Sequence, residues 1–182
     1  MSKKLTAAQL KKQLKECSQD ELIYLISRLY KAVPEAADFI NVELGDQEYI
    51  SGLLEEAKKK VRKEFFPNRG YGRLSLSTAK SAISSFKRVC TDPVMIIDLQ
   101  LYYVECGVEF TNSYGDINES FYSSMERMYW AVIETLNKSD DERLYQLFSE
   151  RLKAVVDDSS GIGWGFYDGL CDSYYSLKWV RE

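Results

Sequence analysis

Histidine is absent from the 182 residues. Its absence removes the side chain that titrates nearest neutrality, the commonest metal ligand, and every serine or cysteine arrangement that depends on an imidazole base. Proline and glycine are scarce, at three and ten residues, which excludes a collagen-like repeat, a low-complexity disordered chain and a turn-rich sandwich. No uninterrupted hydrophobic run is present. The most apolar stretch, Pro93 to Phe110, is broken by Asp98, Gln100, Glu105 and Glu109 and cannot span a bilayer as it stands. The opening residues, MSKKLTAAQLKK, are charged where a secretory signal would be apolar. Cysteines occur at 17, 90, 106 and 171 without C-x-x-C spacing, so they read as reduced thiols rather than a zinc site or redox pair. These absences predict a cytoplasmic chain with no membrane association, metal or cofactor, and they delete most enzyme classes.

What is present is charge, unevenly placed. Residues 1–88 carry 17 Lys and Arg against 11 Asp and Glu, a net of +6, whereas residues 89–182 carry 7 against 17, a net of −10. Lys58 to Arg73 contains seven bases and one acid, and Val89 to Glu126 contains seven acids and no base. Two solvated faces of opposite sign would explain this. So would contact between the basic and acidic halves.

Helix punctuation runs through the chain. Thr6 with Gln9, Ser18 with Glu21, Asp116 with Glu119, and Ser139 with Glu142 have capping-box spacing, and Asp92-Pro93 reads as a cap followed by proline at the first helical position. Between these marks apolar residues recur at three and four, and no segment alternates with the period of a strand. The pattern predicts an all-α protein of eight or nine helices in antiparallel pairs, as an irregular bundle or a short helical-hairpin stack. One domain is expected over 1–182, with a possible N-terminal subregion 1–66 and a C-terminal bundle 75–182. The expected eighth helix runs from Leu144 to Val155 and the ninth from Trp164 toward Trp179. The helix over 93–111 is apolar nearly all round and is expected to be the most buried.

Asp98, Tyr102, Glu105 and Glu109 fall on one face of that helix, at i, i+4, i+7 and i+11, continuing toward Asn112. Acids on a buried helix must pair, resist ionisation or bind a cation. Salt bridges to Lys or Arg of the N-terminal half, a pocket for a cationic or polar ligand, and an oxygen-ligand metal site are the alternatives. In the last helix Gly161, Gly165, Gly169 and Ser173 recur every four residues, which suggests a small-residue packing seam within the chain or between two copies in a homodimer. Asp168 and Asp172 form an acidic pair beside that stripe. Tyr102, Glu105, Glu109, Asp168 and Asp172 are therefore the candidate ligand-binding residues. No catalytic residue is assigned. The basic stretch supplies a rival nucleic-acid surface through Lys58, Lys59, Lys60, Arg62, Lys63, Arg69 and Arg73, interleaved with Phe65, Phe66 and Tyr71.

The segments YYVECGVEFTNSYGDINESFYSSME and SGIGWGFYDGL, with the start LTAAQLKKQLKECSQDELIYLISRLY, resemble an uncharacterised bacterial family of unknown function. The resemblance covers nearly the whole chain and implies a small, cytoplasmic, helical bacterial protein; it carries over no functional residues. The N-terminal pair also resembles helix-extended-loop-helix nucleic-acid modules through its basic amphipathic pattern. The reading that follows is a helical protein-interaction or ligand-binding module without catalysis. The alternatives are a nucleic-acid-associated protein using the 58–73 segment and a histidine-free enzyme working with carboxylates and tyrosines.

Overall fold

Side-chain caps set where most helices begin. The structure, a computed structural model, describes residues 4–67 and 74–180. Helix α1 (Ala7–Glu16) starts at Thr6 and α2 (Gln19–Ala32) at Ser18, each within a complete capping box with Gln9 and Glu21. Helix α3 (Pro34–Leu44) has proline in its first turn, where a missing amide costs nothing. After α4 (Gln47–Phe65), α5 (Leu76–Val89) is capped by Ser75. Asp92 accepts from the Val94 amide at 2.8 Å to open α6 (Pro93–Tyr114), which stops at Gly115 with φ +87°.

Two expected caps fall elsewhere. Asn118, not Asp116, caps α7 (Glu119–Lys138), because the Asp116 carboxylate accepts the Tyr122 hydroxyl instead. Asp141, not Ser139, caps α8 (Glu142–Gln146), and Ser139 closes α7. The expected single eighth helix is split: the chain turns at Leu147-Phe148, burying Phe148 while leaving Leu147 exposed, before α9 (Ser149–Asp158). Helix α10 (Phe166–Tyr175) is shorter than its apolar spacing suggested, since Trp164 and Gly165 both adopt positive φ ahead of it. Ten α-helices and no strand occur among the described residues, so the chain is all-α.

The chain forms two compact units, Met1–Gln47 and Glu48–Glu182. The division lies at 47/48, well before the subregion boundary expected at 66–75. The reason is α4: its Leu54, Ala57, Val61 and Phe65 are buried in the core of the second unit. In the first unit α2 packs against α3, tied by the Tyr30 hydroxyl to Asn41 Oδ1 at 3.1 Å. None of α1, α2 or α3 buries a residue.

In the second unit α6 is the central element, packed by α5, α7 and α9, while α10 rests on α7 and α9. Ile97, Leu101, Val104 and Val108 turn into the core with the rings of Tyr103, Phe65 and Phe121. Each such buried aliphatic side chain stabilises by about 1.5–3 kcal/mol relative to exposure. Gly107 leaves room on α6 for the Met125 side chain of α7, whose Sδ lies 2.4 Å from where a Cβ would stand.

Candidate ligand cleft on α6

The acidic face of α6 survives folding as the spacing implied, but its charges are answered by three cations. Arg151, from α9, reaches across with its whole guanidinium. Nε and Nη2 hold the two oxygens of Glu105 at 2.7 and 2.9 Å, and Nη1 meets Asp98 Oδ1 at 2.6 Å. Lys58 of α4 takes the other Asp98 oxygen at 2.8 Å and also reaches Glu55 at 3.3 Å. Arg62, one turn further along α4, grips Glu109 with both terminal nitrogens at 2.8 Å. Two arginine forks on two carboxylates are the geometry that favours Arg over Lys.

The electrostatics follow from these contacts. Burial opposes the charge on Asp98, but the hydrogen bonds from Lys58 and Arg151 outweigh it and hold the carboxyl below the usual aspartate range. The Arg62 fork holds Glu109 below the glutamate range. Its own acid lifts Arg62 still further into the protonated state, and Arg151 rises too, the hydrogen bonds to Glu105 and Asp98 overcoming desolvation. Tyr102 lies under Lys58, with Nζ 5.7 Å from the ring centroid, and burial raises its hydroxyl pKa. Burial pushes the neighbouring Cys106 thiol up to about 11. Each held through both oxygens by an arginine fork, Glu105 and Glu109 are struts between helices before they are anything else.

Beside the struts lies a cleft of about 550 Å³ between α6 and α9, with Glu105, Glu109, Asn112, Ser113, Arg151 and Asp158 among its polar lining. Asn112 Nδ2 donates to the Asp158 carbonyl at 2.8 Å, tying α6 to the end of α9. Of the five candidate ligand residues, this cleft contains Glu105 and Glu109. Tyr102 shares their face but does not line the cleft. Asp168 and Asp172 stand exposed on α10 and are not part of the cleft.

The glycine stripe is corrected by the backbone. Gly161 and Gly165 precede α10 with φ +84° and +70°, so only Gly169 and Ser173 are helical and the spacing of four does not form one helix stripe. Gly169 faces the Glu126 carboxylate of α7, with a Cβ position 3.2 Å from Oε1. The basic stretch is likewise divided. Lys58 and Arg62 are committed to α6, Lys59 pairs with Glu56 at 2.7 Å on its own helix, and Lys60 and Lys63 stay exposed. Arg69, Tyr71 and Arg73 lie outside the described residues.

Arg151 and Asp158 are the residues that sequence reasoning missed. Arg151 follows the buried Phe148 by three positions and precedes Val155 by four, so it stood on the edge of an inward helix face. Among the described residues no group of three or more Cys, Asp or Glu is arranged to hold a metal ion, and no helix is long and apolar enough to cross a membrane. Residues 1–169 match the model of a family of unknown function (DUF6155), and the chain belongs to that family. No curated protein and no solved structure matches it significantly.

Proposed function

We propose that this member of the family is a protein-interaction module, in which the helical bundle 48–182 is the scaffold and the α1–α3 unit is the part that binds. The observation that carries the reading is a folded, well-capped unit without a core. Between Leu5 and Leu44 eleven large apolar side chains stand 38–83% exposed, and α1, α2 and α3 bury nothing. Apolar surface of that kind marks an interaction site, and a domain of this size cannot reach a stable state by leaving its apolar face in water. The locked carboxylates of α6 support a reading without catalysis. Four free thiols favour a reducing compartment, which agrees with a cytoplasmic location.

The test is a photo-crosslinking residue in place of Leu25, introduced in the producing cell. Adducts that map to one partner surface, and that vanish when Ile26→Asp is added, are the expected result. No intermolecular adduct at all, neither to another protein nor to a second copy of the chain, would overturn the reading. A second reading, favoured by the cleft between α6 and α9, places a small polar or cationic ligand against Asp158 and Asn112. A diamine that raises the melting temperature of the wild type and not of Asp158→Asn would support it.

A further inference from the structure

We propose that the occupant of the α1–α3 surface is a second copy of this chain, paired about a two-fold axis so that α1 of each copy lies against α3 of the other. The inference rests on the reading of that unit as the binding part and adds the identity of its partner.

The first ground is charge. On α1 the apolar stripe Leu10 and Leu14 is flanked by Lys11 and Lys15, one turn apart, with Lys12 beyond them, against a single acid, Glu16. On α3 the exposed ring of Phe39 has Glu35 one turn before it and Glu43 one turn after it, and the helix carries no Lys or Arg. Residues four apart lie on one helix face, so each helix presents an apolar stripe edged by charge of one sign, and the two signs are opposite. Within one chain this complementarity is unused: among the described residues no ion pair joins Lys11, Lys12 or Lys15 to Glu35 or Glu43. A two-fold pair uses it twice, because an isologous contact repeats every pairing.

The second ground is area. A large apolar side chain of roughly 150–200 Å² that is half exposed leaves about 80–100 Å² in water. Eleven of them expose on the order of 900 Å² in total. Ile23, Tyr24, Leu25 and Ile26 are consecutive and point round α2, so one face supplies part of the about 800 Å² per partner of a standard interface and the charged edges supply the rest. The apolar face of α2, with Leu22, Ile26 and Leu29 at helical spacing, supplies the middle of such an interface. The charged helices set its register and exclude the parallel α1–α1 arrangement, where lysines would face lysines.

The experiment is light scattering on the purified full chain, with two charge-reversed variants. The wild type should show twice the chain mass of 21.0 kDa. Lys11→Glu/Lys12→Glu/Lys15→Glu and Glu35→Lys/Glu43→Lys should each raise the dimer Kd at least tenfold, since each places like charges in contact. Mixed in equal amounts, the two variants should form a dimer again, because the reversed α1 of one meets the reversed α3 of the other. That recovery also shows that both variants are folded. A wild type that stays monomeric, a reversal that leaves the dimer intact, or a mixture that stays monomeric would overturn the proposal. If the Leu25 crosslinker meanwhile captures one different protein at the same face, the interaction reading stands and only the choice of partner falls. If it forms no intermolecular adduct, neither to another protein nor to a second copy of the chain, both fall.

Discussion

Replacing Arg151 with methionine keeps most of the aliphatic volume and removes the fork that joins α9 to α6. Arg151 is 35% exposed, Asp98 20% and Glu105 29%. A fully buried pair broken from one side costs about 3–5 kcal/mol, and an exposed one about 0–1. This arrangement lies between the two. Asp98 keeps Lys58 at 2.8 Å, whereas Glu105 loses both of its hydrogen bonds, so the expected cost is about 2–3 kcal/mol. At this chain size that lowers Tm by about 5–10 °C. Trp130, Trp164 and Trp179 all lie in the 48–182 unit, and their fluorescence follows its melting. Arg62→Met breaks an exposed pair, 43% and 47%, and should cost less than about 1 kcal/mol. The pH dependence has a fixed sign. The folded pKa of Asp98 lies below its unfolded value, so its stabilisation is present above the ordinary aspartate pKa of about 3.9 and is lost as pH falls through the folded value. Wild type and Arg151→Met should therefore differ most near neutrality and converge in acid. A Tm change below 1 °C, an equal loss in Arg62→Met, or a gap that persists in acid would refute the argument.

Two other perturbations separate packing from backbone strain and from desolvation. Gly107→Ala should destabilise by about 1–3 kcal/mol because its Cβ collides with Met125; adding Met125→Ala should recover part of that loss in a double-mutant cycle, and no recovery would remove the steric explanation. Gly165→Ala and Gly165→Leu should each cost about 1–2 kcal/mol, since φ is +70° and no neighbour lies within 4 Å of the added Cβ; a leucine far costlier than alanine in thermal melts would show a packed site instead. Glu126 is raised above the glutamate range because burial penalises its charge. A raised folded pKa favours the protein below the ordinary value and works against it at neutral pH. Glu126→Gln should accordingly raise Tm at pH 7 and make no difference in acid, and a lower Tm at pH 7 would show an ion partner that holds the carboxylate.

The helices were legible because their signals are local. Thr6, Ser18 and Asp92 each satisfy amides within three residues, so the sequence window contains the whole interaction. Asp116 and Ser139 show where such reasoning fails: neighbouring polar residues compete for the same role, so Tyr122 takes the Asp116 carboxylate while Asn118 and Asp141 do the capping. The glycine repeat fails for a related reason. Spacing of four suits a helix face, but it does not reveal that Gly161 and Gly165 take positive φ, which only the path of the chain into α10 decides. The glycine whose lack of a side chain makes room for a neighbouring helix is Gly107, against Met125, where no repeat announced it.

The sequence alone determined that this chain is helical, which helix is central, and that Asp98, Tyr102, Glu105 and Glu109 share one face, because periodicity and capping act over a few residues. Charge asymmetry likewise implied that the basic and acidic halves could meet, and Lys58–Asp98 and Arg62–Glu109 are such meetings. Only the tertiary structure decided that Arg151, 46 positions from Glu105, closes the network, that Asp168 and Asp172 stay apart from it, and that α4 belongs with the second unit while α1–α3 bury nothing. Those outcomes depend on contacts between residues distant along the chain, whose loop-closure cost and packing are properties of the whole fold.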